Sequence, residues 1–358
     1  MRCVVVGAGI IGATIAYHLA RAGVDIVVVD SGQGGATAQS FGWINASFFA
    51  DVAHHGLRVA GIKSWARLRE DVPQLPISDQ GALWWEEQGA GMDRMEANLS
   101  DLGYPVARLQ GDEVARMEPG LAESPPAALR FASESATDAG AATEELLAAA
   151  QRLGARVVSG VTVQGILRQA GTVSGVSTNC GNIIADQVVV AAGNGAPDLL
   201  TGIGVDLPML VRPGVMVVTR PVARAISSVL VTPEGEVRQL ADGRLMSPAA
   251  AQHQGDTASS ISEPPEDIAR RTCARLARLV GMDYLDWDEV GMAYRPVPAD
   301  GLPVIDTVAA GVHVAVMHSG VTLAAICGEL ITALVTKKAS NAQMAMLAPY
   351  GIDRFSAG

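Results

Sequence analysis

The first thirty residues switch between two hydrophobic patterns. Residues 2–6, "RCVVV", are almost all apolar on both sides of the backbone and run into Gly7, the signature of a strand covered on both faces. After "GAGIIG", Ile11, Ile15, Leu19 and Ala22 recur at helical spacing, and Gly23 stands where a helix end favours a left-handed residue. "VDIVVVD" then repeats the buried-strand pattern. Strand, helix and strand in so short a span predict a βαβ unit, the start of a parallel sheet.

The pattern changes between 52 and 130, where "HHGLRVAGIKSWARLRED" predicts an amphipathic helix, "GALWWEE" a Trp-bearing strand and "ESPPAA" a turn-rich connection. From 136 to 193 the α/β pattern returns: "AATEELLAAAQRLG" is a helix, "ARVVSG" a strand, and "IIADQVVVAAGNG" a single buried strand ending in glycines. Alternating strands dominate 205–295. There "EVRQLADGRLMSP" predicts a hairpin with a two-residue Asp242-Gly243 turn. "SEPPEDIARRTCARLARLV" starts a helix with proline in its first turn and sets Arg270, Arg271, Arg275 and Arg278 on a solvated face. "GVHVAVMHSGVTLAAICGELITALVTKK" reads as strand, glycine and helix, with Lys337 and Lys338 complementing the negative helix end.

An α/β pattern that resumes on both sides of a β-rich insert predicts a discontinuous, Rossmann-like α/β nucleotide domain over 1–51, 131–204 and 296–358. A second, mostly antiparallel-sheet substrate domain would take 52–130 and 205–295. The length of 358 residues accommodates both, and 49% hydrophobic residues suffice for two cores. A net charge of −11, spread rather than gathered, argues against nucleic acid as partner. Cys3, Cys180, Cys273 and Cys327 lie too far apart for paired zinc spacing or a disulfide framework, so no metal is expected and a reducing, cytoplasmic setting is. The opening strand leaves no room for an export signal. The most apolar late stretch carries His313, His318 and Glu329 and falls short of a membrane span.

Gly7-x-Gly9-x-x-Gly12 between a strand and a helix is a dinucleotide fingerprint: one glycine for the tight turn, one for close approach of pyrophosphate, one for packing of helix on strand. Asp30 closes the second strand, where a carboxylate can take ribose hydroxyls. The next twenty residues, 31–50, carry no charge. "SGQGGATAQSFGWIN" has too much glycine and too little helical period for another simple crossover. It suits a neutral loop and helix start lying along pyrophosphate and under a flat ring, which favours a flavin over a nicotinamide.

The chain resembles the D-amino-acid oxidase and glycine oxidase family of FAD-dependent amine and amino-acid oxidoreductases. The resemblance rests on "VVVGAGIIGATIAYHLARAGVDIVVVD", "GGATAQSFGWI", "TDAGAATEELLAAAQRLGARVVSGVTV", "VVVAAGNGAPDL", "YRPVPADGLPVID" and "HSGVTLAAICGELI", which occur in the family's order over almost the whole length. It implies that Gly7, Gly9, Ile11 and Gly12 line the pyrophosphate, that Asp30 and Ser31 hold the adenosine ribose, and that Thr37, Ala38, Ser40, Gly42 and Trp43 follow the pyrophosphate, ribityl chain and ring. Val161 would meet adenine through its backbone and Gly193 would close on the cofactor. Gly320, Val321 and Thr322 would offer N–H groups to the flavin N1/C2=O edge, where the positive helix end stabilises charge arriving on reduction. Relatives that attach FAD covalently use a Cys soon after the segment matching "AYRPV" or a His near the second motif. This chain has no Cys between 292 and 310 and no His between 31 and 50, so its FAD is expected to be non-covalent.

Arg295 matches the family's substrate-carboxylate arginine. A planar guanidinium can grip an α-carboxylate bidentately and aim Cα–H at the flavin N5. Tyr294 is its neighbour, and His318 precedes the flavin-edge helix. His54, His55 and Arg58 begin the first inserted helix, one of them expected to face the site. Arg238, Gln239 and Arg244 on the predicted hairpin are candidates for the distal part of the substrate. Hydride transfer to flavin needs no acid/base pair, and none stands out. The expected activity is oxidation of the C–N bond of a small D-amino, imino or N-substituted amino acid to an imine that hydrolyses. The few lysines, Lys63, Lys337 and Lys338, tilt the expectation toward a dehydrogenase, or an oxidase using another cation. Two further readings remain: a flavoprotein subunit of a hetero-oligomer and an NAD-dependent dehydrogenase, with a homo-oligomer equally open.

Overall fold

The structure, a computed structural model, describes residues 1–250 and 256–356. Its central sheet has six strands, in spatial order Val304–Ala309, Val312–Val316, Gln187–Val190, β1 (Arg2–Val6), β2 (Asp25–Asp30) and Arg156–Ser159. All neighbours run parallel except the edge strand Val304–Ala309. The unbroken apolar run of β1 has the reason expected of it. Cys3 and Val5 join a core under α1 (Ile10–Arg21) and the helices Ala139–Arg152 and Gly320–Val335, while Val4 and Val6 join a second core on the opposite face. A three-stranded antiparallel sheet, Val163–Gln169, Thr172–Thr178 and Gly181–Ile184, covers that second face.

The stretch "IIADQVVV" is therefore two strands and not one. Ile183 and Ile184 belong to the covering sheet, with Ile184 64% exposed, and Gln187–Val190 crosses into the central sheet. Asp186 fixes the corner by accepting from the Arg2 N–H at 2.8 Å.

Eight strands form the second large sheet: Trp287–Tyr294, Pro213–Thr219, Leu245–Pro248, Gly235–Gln239, Val229–Thr232, Ala82–Trp84, Ala127–Phe131 and Ala107–Gln110. It is antiparallel apart from the pairing of Val229–Val231 with Ala82–Trp84. Its hairpin closes on three residues, Ala241, Asp242 and Gly243, rather than two: Leu240 N–H donates to Arg244 O and Gly243 N–H to Leu240 O, with Gly243 at φ +91°. A type I turn needs this left-handed third position to bring the strands back into register. On the helix Pro265–Leu279, Arg270, Arg271 and Arg278 meet surface carboxylates as a solvated face should. Arg275 departs from it, folding inward to donate to the Pro248 carbonyl at 2.9 Å.

The two sheets meet through a small third sheet, in which β3 (Trp43–Ile44) pairs with Ser135–Thr137, and through α2 (Val52–Asp71). A Cβ on Gly61 of α2 would run into the Thr322 carbonyl, and Trp65 Nε1–H donates to Val321 O at 2.8 Å. These contacts seat α2 on the first turn of the helix Gly320–Val335. Among the described residues no helix is long and apolar enough to cross a membrane.

Candidate functional site

The three fingerprint glycines differ in what surrounds them. A Cβ on Gly7, at φ +102°, would strike the Ala191 carbonyl, and one on Gly12 would strike the Gly7 carbonyl. Both positions are closed by backbone and hold α1 against β1. At Gly9 only the Thr37 hydroxyl stands near, 2.9 Å from the Cβ position. The N-terminus of α1 has no side-chain cap from Gly9, and Thr37 Oγ1 accepts from Ile10 N–H at 3.1 Å. This leaves an open, electropositive helix end bordered by a hydroxyl, a fit for pyrophosphate.

Asp30 accepts from Ala8 N–H at 2.8 Å through Oδ2 and from Gly32 N–H at 2.7 Å through Oδ1. Each oxygen keeps a further lone pair for a ribose hydroxyl. Ser31 sits beside it, half-buried, with Oγ accepting from Gln33 N–H. The N–H of Val161 donates to Asp30 O at 3.0 Å, so its backbone reaches a base through the carbonyl. Gly193, at φ +53°, begins a short helical turn, and Asn194 Nδ2 next to it donates to Tyr294 O at 2.7 Å. That bond ties the glycine turn to the strand end that carries Arg295.

The uncharged segment contains no helix start. Its one turn is closed by Ser40 N–H donating to Thr37 O, with Ala38 exposed at the tip and Ser40 Oγ accepting from Gly42 N–H. Gly42, at φ +73°, presses on the Thr137 carbonyl, so a side chain there is excluded twice over. Trp43 is buried, and its Nε1–H has no hydrogen-bond partner among the described residues. A buried donor without a partner is costly, and here it lies where a polar ring edge is expected.

Thr322 Oγ1 donates to Trp43 O at 3.1 Å and accepts from Asn45 N–H at 3.2 Å. The resemblance assigned Thr322 only a backbone role; its hydroxyl also clamps the ring segment to the late helix. That helix starts at Gly320 behind Ser319, which adopts φ +57° and offers no side-chain cap. Ile11 lies against Gly320, 3.7 Å from its Cβ position, joining the first motif to the last. Glycine, Trp43, Thr322 and the uncapped helix end together form a cradle whose shape and donors fit FAD.

All three candidates at the start of α2 are buried: His54, His55 and Arg58. The chain at residues 45 and 46 folds over the helix start. His55 Nδ1 meets Ala46 O at 2.9 Å, and Arg58 donates to Asn45 through Nε to the carbonyl at 3.1 Å and through Nη2 to Oδ1 at 2.5 Å. Burial lowers His54 to about 4 and Arg58 to about 10, the carboxylate of Glu134 opposing the latter. His55 and Arg58 brace the chain at Asn45 and Ala46.

Glu134 was invisible to sequence reasoning, standing in a short polar run with no motif. It is 1% exposed and takes three donors on Oε1: Ala46 N–H, Ser47 N–H and the Tyr104 hydroxyl, at 3.1, 3.0 and 2.8 Å. Burial pushes its carboxyl from 4.5 up to about 7, against the pull of those hydrogen bonds. A carboxyl raised in this way stabilises the fold fully below about pH 4.5, and that stability is lost as pH rises through about 7. Glu134→Gln is expected to erase this slope, gaining up to about 3 kcal/mol on the native protein between pH 5 and 8. Urea midpoints of both proteins across that range decide it. The lowered His18, His54 and His313 act with the opposite sign on both proteins and cancel.

Arg295 lies at the edge of the eight-stranded sheet with its side chain 12% exposed, paired with Asp256 at 2.9 Å. Tyr294 points away, 51% exposed. His318 is half-buried, its Nδ1 3.3 Å from Ser319 Oγ. Of the hairpin candidates, Gln239 hydrogen-bonds the loop 222–226 and Arg244 pairs with Asp242. Arg238 is buried beside Gly42. Lys63 stands exposed on the outer side of α2.

The family model of FAD dependent oxidoreductases (DAO) matches residues 2–334. A D-amino acid dehydrogenase of Cereibacter sphaeroides is 27% identical over 100% of this chain and 96% of its own length. Among solved structures, the L-proline dehydrogenase of P. horikoshii superposes with a TM-score of 0.86 at 21% identity, covering 99% of this chain and 97% of that one. The glycine oxidase of Geobacillus kaustophilus does so with a TM-score of 0.84 at 23% identity, covering 99% of each. With nearly the full length matched and the dinucleotide cradle in place, the chain belongs to the DAO family of FAD-dependent oxidoreductases.

Proposed function

We propose that this chain oxidises the C–N bond of a small amino acid, D-configured, cyclic or N-substituted, with non-covalently held FAD. Bound FAD would supply the acceptor for the hydride leaving Cα. The observation that carries the reading is that Arg295, on a sheet facing the ring segment, already grips a carboxylate, that of Asp256. A substrate α-carboxylate replacing it would be held by the same fork, and Cα would be fixed relative to the ring edge. The buried shell of Trp43, His55 and Arg58 excludes water from beneath the ring segment, and the first turn of the helix Gly320–Val335 favours negative charge at its end.

The relative named D-amino acid dehydrogenase supports an amino-acid substrate. The exposed setting of Lys63 supports an electron acceptor other than O2, since no lysine near the ring segment would polarise oxygen. Buried thiols at Cys3, Cys273 and Cys327 suit a reducing cytoplasm. The purified protein is expected to be yellow, to release its flavin into acid, and to bleach anaerobically with one class of amino acid. Bleached protein should recover faster with an artificial electron acceptor dye than with air. A flavin-loaded protein that no amino acid bleaches refutes the reading.

A further inference from the structure

Asn45 is 3% exposed, and its contacts decide which end of its carboxamide points where. Arg58 donates from Nε to the Asn45 carbonyl at 3.1 Å and from Nη2 to the side-chain oxygen at 2.5 Å. A guanidinium has only donors, so the atom facing it must be Oδ1 and not Nδ2. The NH2 is therefore turned away from Arg58.

The backbone of Asn45 is held as well. Its N–H donates to Thr322 Oγ1, which donates in turn to Trp43 O, so residues 43–45 pass extended along the start of the helix Gly320–Val335. Their other edge faces Ser135–Thr137, where Gly42 O accepts from Thr137 N–H at 2.8 Å. The N–H, the carbonyl and Oδ1 of Asn45 are thus all engaged, and Nδ2 alone makes no hydrogen bond among the described residues. Two amide protons in so enclosed a place are costly to leave without an acceptor.

The surroundings say what kind of acceptor is missing. Thr322, one hydrogen bond from Asn45, belongs to the uncapped first turn whose N–H groups open onto the cradle. Trp43, two residues back and so on the same face of the extended segment, carries the orphaned Nε1–H. If holding Arg58 were the whole task, an aspartate of the same shape would do it with a full counter-charge. Asparagine differs by its NH2.

We propose that Asn45 is a ligand-binding residue and Arg58 its positioning residue: the guanidinium holds the carboxamide oxygen, and Nδ2 donates to an oxygen of the molecule seated on the ring segment. That oxygen is a carbonyl of the flavin ring or belongs to the substrate carboxylate. The proposal rests on the FAD-dependent amino-acid reading above, and it gives Arg58 a role that needs no contact with substrate.

Asn45→Asp is the test. It keeps the partner of Arg58, so the FAD-free protein should melt at or above the native temperature, but the donor has become an acceptor. Titration of FAD-free protein with FAD, and of FAD-loaded protein with butyrate followed in the flavin absorption band, separates the two sources of oxygen. FAD binding weaker by about 10- to 100-fold assigns Nδ2 to the flavin carbonyl; native FAD binding with butyrate weakened as much assigns it to the carboxylate. The double variant Asn45→Leu, Arg58→Met removes donor and cation together and should weaken the same ligand, which excludes repulsion by the new carboxylate as the cause. Arg58→Lys, still a donor only, should keep both affinities. Native binding of FAD and butyrate by folded Asn45→Asp, or by the double variant, overturns the proposal, and so does a loss in Arg58→Lys as large as in Asn45→Asp. Anaerobic bleaching tests the oxidation reading separately. Native protein that amino acids bleach, with Asn45→Asp binding both ligands normally, loses the Asn45 donor alone. Native protein that no amino acid bleaches, with Asn45→Asp impaired for FAD or butyrate, loses the oxidation reading and keeps the donor.

Discussion

Arg295→Ala is expected to raise KM for carboxylate substrates by about 10- to 100-fold or more while the flavin stays bound. A charge-assisted fork contributes about 1.5–3 kcal/mol, and losing it also frees the substrate to misalign its Cα, so kcat should fall as well. The flavin should be spared, because Arg295 stands on the opposing sheet and, among the described residues, its side chain donates to Arg212 O, Pro213 O and Asp256, none of them in the cradle. Asp256 supplies the complementary experiment. Its carboxylate occupies the fork, so Asp256→Asn should lower KM several-fold by withdrawing a competitor. Steady-state kinetics with one amino acid, together with the visible spectrum of each variant, test both. An Arg295→Ala protein with unchanged KM would sink the clamp.

The second large effect separates two glycines three residues apart. Gly12→Ala places a methyl into the Gly7 carbonyl, forcing α1 off β1. Overpacking of backbone against backbone cannot be relieved by a rotamer change, and a loss of about 3 kcal/mol or more is expected. Gly9→Ala meets only the Thr37 hydroxyl, which can swing aside. The fold should survive, but the methyl then projects into the space reserved for pyrophosphate. Thermal melts should show Gly12→Ala far below the native apoprotein and Gly9→Ala close to it, while FAD titration should show both failing to bind. Equal melting of the two variants would remove the distinction between packing and cofactor approach.

Much of the fold was legible because local pattern and tertiary role coincide. β1 is apolar on both sides because two cores claim its two faces. Gly12 is glycine because a carbonyl lies where its side chain would be. Legibility failed where partners come from far along the chain. "IIADQVVV" looks continuous, since nothing in a mostly apolar run without glycine or proline says that a sheet ends between Ile184 and Gln187. Arg275 shares the spacing of its exposed neighbours, and only the strand that ends at Pro248 draws it inward. Glu134 is the clearest case. Its three donors come from residues 46, 47 and 104, so no window around it could announce a buried carboxyl. The hydroxyl of Thr322 is the same kind of case, its partners Trp43 and Asn45 lying at the other end of the chain.

That hydroxyl bridges Trp43 and Asn45 to a residue 277 positions further along from Asn45. A chain emerging from the ribosome can fold its opening βαβ unit early, but the clamp on Trp43 and Asn45 closes only when the helix Gly320–Val335 is released. The flavin is thus expected to be held only after Thr322 has joined Trp43 and Asn45. Nascent chains stalled before residue 322 should remain colourless however much FAD surrounds them.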